Sequence, residues 1–520
     1  MRKMMVIVLA ALLAFGGVSA LAEAETVYAS DFSGGTDGWY PRSTGTAKLS
    51  LTEDGALRIE GRDANWHSPG RDFALIPGSR YLMQVQVRQD QADSAGFMIS
   101  VAHSVDGAES YENLAHGTAA KGEWTELKGE YVAGDYDRFV LYVETTDAST
   151  LDFDIRDFVL TAPDGQLEAK PTPEPMVIEA VDELPSLREI YADKFDMGTC
   201  VSGRMASTKE IMDFIVSQFN IVTPENELKP DSVLDVARSR QLAKEDETAV
   251  AVHFDAARPI LECAKANGLE VHGHVLVWHS QTPEAFFREG YEAGAPMVSR
   301  EVMLGRMENY IRQVMEYMEE NYPGVVVSWD VVNEAVDDGD GQLRSSPWLT
   351  VVGEDYLARA FEYARRYAPE GTLLYYNDYN TAYDNKLGGI EKLLKALMAE
   401  GNIDGYGFQM HHALTSPSIP QISAAVDRIA LTGLRLRVSE LDIIVCNNSE
   451  DSFTRQAQMY ADIMQILLRH ADQFEAVQFW GLTDNMSWRA AQYPLLFDAH
   501  RNPKPAFWAV AGSNTQEVTP

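Results

Sequence analysis

Two glutamates in this sequence each close an apolar-rich run: Glu334 follows Trp329-Asp330-Val331-Val332-Asn333, and Glu440 follows Leu436-Arg437-Val438-Ser439. A pair of carboxyl groups gathered into one cleft suffices to cleave an acetal, one protonating the leaving oxygen while the other attacks the carbon or activates water. The gap between them sets the outcome, about 5 to 5.5 Å for double displacement with retention and roughly 6.5 to 9.5 Å for inversion. Segments rich in aromatic, amide and imidazole side chains accompany the pair: Pro224-Glu225-Asn226-Glu227, Trp278-His279-Ser280-Gln281, Asn377-Asp378-Tyr379-Asn380, Gln409-Met410-His411, and Trp480-Gly481-Leu482-Thr483-Asp484. Aromatic faces stack on pyranose rings and amides bond hydroxyls, so the chemistry indicated is that of sugars. Cys200, Cys263 and Cys446 allow one disulfide at most and form no CxxC pair, so the sequence offers no metal or redox spacing. Two carboxylates need no cofactor for this hydrolysis.

Residues this far apart in sequence can share a cleft only if the fold gathers them. From Leu184 onward, apolar strands alternate with amphipathic helices. Strands are expected at 197–202, 219–223, 269–278, 325–333, 373–377, 405–410, 434–439 and 476–481, with helices at 209–218, 301–321, 356–366, 387–400 and 453–470 between them. Eight strand-then-helix units predict a (β/α)8 barrel over 184–512, whose strand C-termini form one rim. Nearly every polar segment above falls at such an end.

The rest of the chain has a different texture. Short alternating runs separated by Gly, Asp, Pro and Ser clusters over 26–163 predict an all-β, jelly-roll-like sandwich. The Pro-rich stretch Ala169-Lys170-Pro171-Thr172-Pro173-Glu174-Pro175, within a linker at 164–183, predicts a semi-rigid tether. Residues 1–22, with Arg2, Lys3, an apolar run and Ala20-Leu21-Ala22, are expected to be a cleaved secretory signal, and residues 513–520 a tail. The expectation is therefore a secreted, extracellular protein without a membrane span after signal cleavage. Against 43 basic residues stand 78 acidic ones, a net charge of -35 that argues against nucleic acid and suits a neutral polymer.

Here a resemblance becomes specific. Ser328-Trp329-Asp330-Val331-Val332-Asn333-Glu334 resembles the acid/base segment of glycoside hydrolase family 10, and Val438-Ser439-Glu440-Leu441-Asp442-Ile443 its nucleophile segment. Thr223 to Lys229, Gly273 to Gln281, Tyr376 to Asn380 and Trp480 to Arg489 agree in order and spacing. The resemblance implies a retaining endo-β-1,4-xylanase acting on xylan and xylo-oligosaccharides, with Glu440 as nucleophile and Glu334 as acid/base. It implies that Asn333 bonds the sugar 2-hydroxyl and that His411, Asp442 and Gln409 support the carboxylates. Glu225, Asn226, Lys229, His274, Trp278 and Gln281 would bind sugars on the non-reducing side. Trp480 and Trp488 would serve as floor and roof beside Arg489, and Tyr379 would act on the leaving-group side. One departure is Ala285, in Thr282-Pro283-Glu284-Ala285-Phe286, where the family commonly has Trp.

The first module resembles carbohydrate-binding module family 22 through Gly38 to Arg42, Asn65-Trp66, Tyr111, Leu141 to Glu144 and Asp152 to Ile155. That resemblance implies a xylan cleft lined by Arg42, Trp66, Tyr111, Tyr142 and Glu144, with room for a structural calcium. Two other functions compete: a β-glucanase on the same scaffold, since a retaining site does not itself select xylose, and a non-catalytic polysaccharide-binding barrel. Intact Glu334, Glu440, Asn333 and His411 speak against the latter.

Overall fold

The computed structural model describes residues 25–514 apart from 34, 43–46, 106–107, 147–148, 168–173 and 182. The expected signal, most of the Pro-rich stretch and residues 515–520 lie outside the described residues. The chain divides near residue 172 into two units.

The first unit consists of β1 (Glu25–Ser30), β2 (Tyr40–Arg42), β3 (Lys48–Leu51), β4 (Leu57–Glu60), β5 (Ser68–Asp72), β6 (Arg80–Arg88), β7 (Ser94–Val105), β8 (Ala108–Ala120), β9 (Thr125–Val132), β10 (Arg138–Thr145) and β11 (Phe153–Ala162). They form two antiparallel sheets, β3-β4-β11-β6-β9 with β1 on β11, and β2-β5-β10-β7-β8. Period-two alternation explains the sandwich: Tyr81, Met83, Val85 and Val87 of β6 meet Phe97, Ile99, Val101, Leu141 and Val143 of the other sheet in one core. The opposite parity of β10 places Val140 and Tyr142 outside that core, with Ala102. The chain stays on this unit through residue 167, where the Leu167 amide donates to Ser79 Oγ at 2.9 Å.

The second unit holds β12 (Asp196–Val201), β13 (Ile221–Pro224), β14 (Glu270–Trp278), β15 (Val326–Asn333), β16 (Leu373–Asp378), β17 (Gly405–Phe408), β18 (His411–Ala413), β19 (Arg435–Ile444) and β20 (Phe474–Phe479). Parallel pairing runs β17-β16-β15-β14-β13-β12-β20-β19 and closes through β17 with β19, an eight-stranded barrel. The three residues of β18 ride on the upper part of β19. Amphipathic spacing forms the surrounding helices: along Arg300–Asn321, Met303, Met307, Tyr310, Ile311, Val314, Met315 and Met318 are buried, and the Ser299 side chain caps the first turn. Gly268 and Gly401 end two other helices in the left-handed region, at φ 65° and 75°.

The expected strands are all present, with two informative differences. The seventh runs on through Glu440 to Ile444 instead of stopping at Ser439, because β18 supplies a neighbour above the point where β17 ends. Glu440 therefore lies inside a strand. The sixth strand ends at Phe408, two residues early, where Met410 turns the chain at φ 60°. Cys200, Cys263 and Cys446 form no disulfide.

Candidate active site

At the C-terminal rim a cleft of about 500 Å³ is lined by Glu334 and Glu440 together with Glu225, Asn226, Lys229, His274, Trp278, Gln281, Asn333, Tyr379, Gln409, His411, Trp480, Trp488 and Arg489. Each was expected there from sequence. Asn380 joins them, and Asp442 lies behind, fully buried.

The carboxylates are held differently. Glu440 accepts from Asn377 Nδ2 at 2.8 Å and contacts His411 Nε2 at 3.1 Å, while His411 Nδ1 is 2.8 Å from Asp442 Oδ2. Burial pulls the His411 imidazole down, but Asp442 and then Glu440 outweigh it and its pKa is pushed up to about 9. Asp442 is held below the usual carboxylate range despite its burial, through His411 and Arg489. Trp488 Nε1 donates to Asp442 Oδ2 at 2.9 Å and Arg489 to Oδ1 at 3.2 Å, so the Trp488 indole and His411 share one carboxylate.

Glu334 begins where β15 ends, and its φ of 56° lies in the left-handed region that a side chain other than Gly rarely adopts. This bend turns the carboxylate back over the cleft, where it accepts from Trp278 Nε1 and Gln409 Nε2, each at 2.9 Å. Trp278, expected to bind sugars on the non-reducing side, is thus also a donor to Glu334. Between the carboxylates, Asn333 Oδ1 accepts from Asn377 Nδ2 at 3.0 Å and from Gln409 Nε2 at 3.1 Å. One chain of hydrogen bonds therefore runs Glu440, Asn377, Asn333, Gln409, Glu334.

On one side of the cleft, Lys229 Nζ donates to Asn226 Oδ1 and Gln281 Oε1, each at 2.9 Å, and lies 5.1 Å from the Trp278 ring. Trp480 is buried, whereas Trp488 is 58% exposed. Opposite, Tyr379 donates to Asp338 and accepts from Arg344 at 2.9 Å.

From sequence, Asn377 and His279 were named only within their segments, without a role, and Arg344 and Asp338 were not named; His279 lies 4.0 Å from Glu334. Asn377 carried a usable signal: it ends the expected strand 373–377 as Asn333 ends the expected strand 325–333, and the two pair in register. Gly407 of β17 stands beside it, where a Cβ would strike the Asn377 amide oxygen.

In the first unit, Arg42 stacks 3.6 Å over the Tyr142 ring. Glu144 accepts from Ser100 Oγ at 2.7 Å, and the same Oγ lies 3.0 Å from the side-chain amide of Asn113, two residues from Tyr111. These residues share the face of β2-β5-β10-β7-β8 that points away from the core, while Trp66 sits on the loop before β5. Tyr111 and Trp66 are exposed, Tyr142 and Glu144 buried. Among the described residues no group of three or more His, Cys, Asp or Glu side chains is placed to hold a metal ion.

A barrel rim that sets two carboxylates among sugar-stacking indoles and hydroxyl-binding amides defines the class: a glycoside hydrolase. Residues 186–513 match the family model described as Glycosyl hydrolase family 10, and residues 24–150 match one described as Carbohydrate binding domain. The chain belongs to glycosyl hydrolase family 10 and carries an N-terminal carbohydrate-binding domain.

It is similar to endo-1,4-beta-xylanase A of Thermoanaerobacterium saccharolyticum, at 31% identity over 494 residues, covering 92% of this chain and 40% of the relative. It is similar also to Exoglucanase XynX of Acetivibrio thermocellus, at 30% identity over 520 residues, covering 96% and 46%. A solved structure of the Clostridium thermocellum endo-1,4-beta-D-xylanase 10B CBM22-1-GH10 modules with xylohexaose superposes with a TM-score of 0.59 at 29% identity, covering 95% of this chain and 99% of that one. The chain spans less than half the length of the two curated relatives.

Proposed function

We propose that this protein is an endo-β-1,4-xylanase that hydrolyses internal bonds of xylan with retention of configuration. The observation that carries the reading is the hydrogen-bond chain from Glu440 through Asn377, Asn333 and Gln409 to Glu334. Both bonds to Asn333 land on its carbonyl oxygen, which leaves its amide hydrogens for a sugar 2-hydroxyl, a contact that strengthens as the oxocarbenium-like state develops. Glu440, fixed on two sides, attacks the anomeric carbon. Glu334 protonates the departing oxygen, then takes a proton from the water that releases the sugar.

Xylose lacks the hydroxymethyl of glucose, and closure of Trp488 and Gln281 over that position would favour xylan. A β-glucan reading has one observation behind it, the relative named Exoglucanase XynX. The sandwich face with Arg42, Tyr142, Glu144 and Tyr111, with Trp66 beside it, is proposed as a xylan-binding surface of family 22 type. A calcium in that module would raise its melting temperature on addition and lower it on chelation. The basic and apolar start of the sequence supports secretion, which the mature N-terminus of the exported protein would establish.

The deciding experiment measures reducing-sugar release from xylan and from soluble cellulose, for the wild type and for Glu440→Ala with added azide. Loss of xylan cleavage in the variant, with recovery of a glycosyl azide of inverted configuration, is the expected result. Preferential cleavage of cellulose moves the substrate to β-glucan, and an inactive wild type returns the barrel to a binding role.

A further inference from the structure

The main chain of Glu334 is held by a side chain with no part in the chemistry so far. Arg344 Nε donates to the Glu334 carbonyl oxygen at 3.0 Å, and its Nη2 donates to the Val336 carbonyl at 3.1 Å. The same Nη2 reaches the Tyr379 hydroxyl at 2.9 Å and Asp338 Oδ2 at 3.1 Å. One planar guanidinium thus joins the left-handed bend that aims Glu334 to the phenol that lines the opposite wall of the cleft. Lys386, fully buried, supports the same turn through the Val336 carbonyl at 2.5 Å and Asp378 at 2.9 Å, but it does not reach Glu334.

We infer that Arg344 is a positioning residue for proton donation to the leaving group. The inference rests on the assignment of Glu334 as acid/base. A residue in the left-handed region keeps its conformation only where its surroundings over-determine it, and three bonds restrain the backbone here: Asn377 O accepts from the Glu334 N–H at 2.9 Å, Tyr376 Oη accepts from the Ala335 N–H at 3.0 Å, and Arg344 donates to the Glu334 carbonyl. Losing the Arg344 bond loosens the turn from which the carboxylate is aimed and leaves Trp278 and Gln409 to hold it alone, while Glu440 and its partners stay in place. A sugar seated against Tyr379 would press on the same guanidinium, so occupancy on the leaving-group side and aim of the acid are coupled. Lys in place of Arg keeps the charge but cannot span from the Glu334 carbonyl to the Tyr379 hydroxyl with a planar fork.

The test compares aryl xylobiosides whose leaving groups need protonation with those that do not. For Arg344→Lys and Arg344→Met, kcat/KM toward phenyl xylobioside should fall about 30-fold or more, since general acid catalysis contributes typically about 10²–10⁴-fold, while kcat/KM toward the dinitrophenyl compound stays within about 3-fold of wild type. A purely structural role would lower both alike, and equal losses, or none in either, would overturn the inference. If Arg344→Met fails to fold, the Lys variant alone decides. A wild type that acts on aryl cellobiosides instead refutes the xylan reading, and the same leaving-group comparison on those compounds still judges Arg344. A wild type inactive on both sets refutes the hydrolase reading and this inference together.

Discussion

At the scale of single residues, Glu440 keeps its place through partners that are themselves held. His411 touches it with one ring nitrogen and Asp442 with the other, and its pKa is pushed up to about 9 in the fold against an ordinary 6.5. A raised base stabilises the folded state in full below its unfolded pKa and loses that contribution as pH climbs through the folded value. Melting temperature should therefore fall as pH rises from about 6.5 through 9, and His411→Gln, compared across that range by calorimetry, should flatten the fall. Asn377→Ala removes the other donor to Glu440 and should lower kcat by about 10²-fold with little change in KM, the range seen when one oriented donor is lost at a charged reacting group. The two glutamates were legible in sequence because each interrupts an apolar run with a charge. Asn377 stood at an expected strand end with no role attached to it, and nothing in the local sequence of Arg344 separates a guanidinium that serves the site from one that only ends a turn. Their roles appear once parallel register sets Asn333 beside Asn377.

At the scale of elements, the two carboxylates stand on unlike supports. Glu440 is inside β19, with Leu441 paired to Phe479 and Asp442 to His411. Glu334 stands on a turn. The barrel and its helices were legible because period-2 and period-3.6 patterns survive in a single sequence, whereas the continuation of the seventh strand past Ser439 depends on β18, a three-residue element too short to leave a pattern. The loop after β20 that carries Trp488 and Arg489 has its own anchor: Lys504, fully buried, bonds Asp484 Oδ1 at 3.2 Å and the Tyr493 and Leu495 carbonyls at 2.7 and 2.8 Å. Lys504→Met leaves Asp484 buried without its cation and frees both ends of the loop. Steady-state kinetics on xylo-oligosaccharides should show KM up about tenfold with a smaller change in kcat, since each 1.4 kcal/mol of lost binding is one factor of ten, and Asp484→Asn in the same chain should recover melting temperature more than KM.

For the whole molecule, the two units have separate cores, Trp39, Phe97 and Phe153 in one and Trp329, Tyr376 and Phe479 in the other. Calorimetry should accordingly resolve two transitions. Removing residues 1–172 should leave turnover of short soluble xylo-oligosaccharides within about 2-fold while lowering release from insoluble xylan several-fold, as expected when a second binding event no longer raises effective concentration. The second unit does not begin at Leu184, where the barrel's alternating pattern starts in the sequence. Met176 donates its amide to the Asn448 carbonyl at 2.8 Å, and Pro175 bridges Ser449, on the segment that leaves β19. A recombination joint placed after Met176 would strip that segment of a backbone partner, whereas one placed before Glu174 exchanges the whole forward module and leaves the catalytic unit intact. Residues 174–176 therefore travel with the catalytic unit in any such exchange.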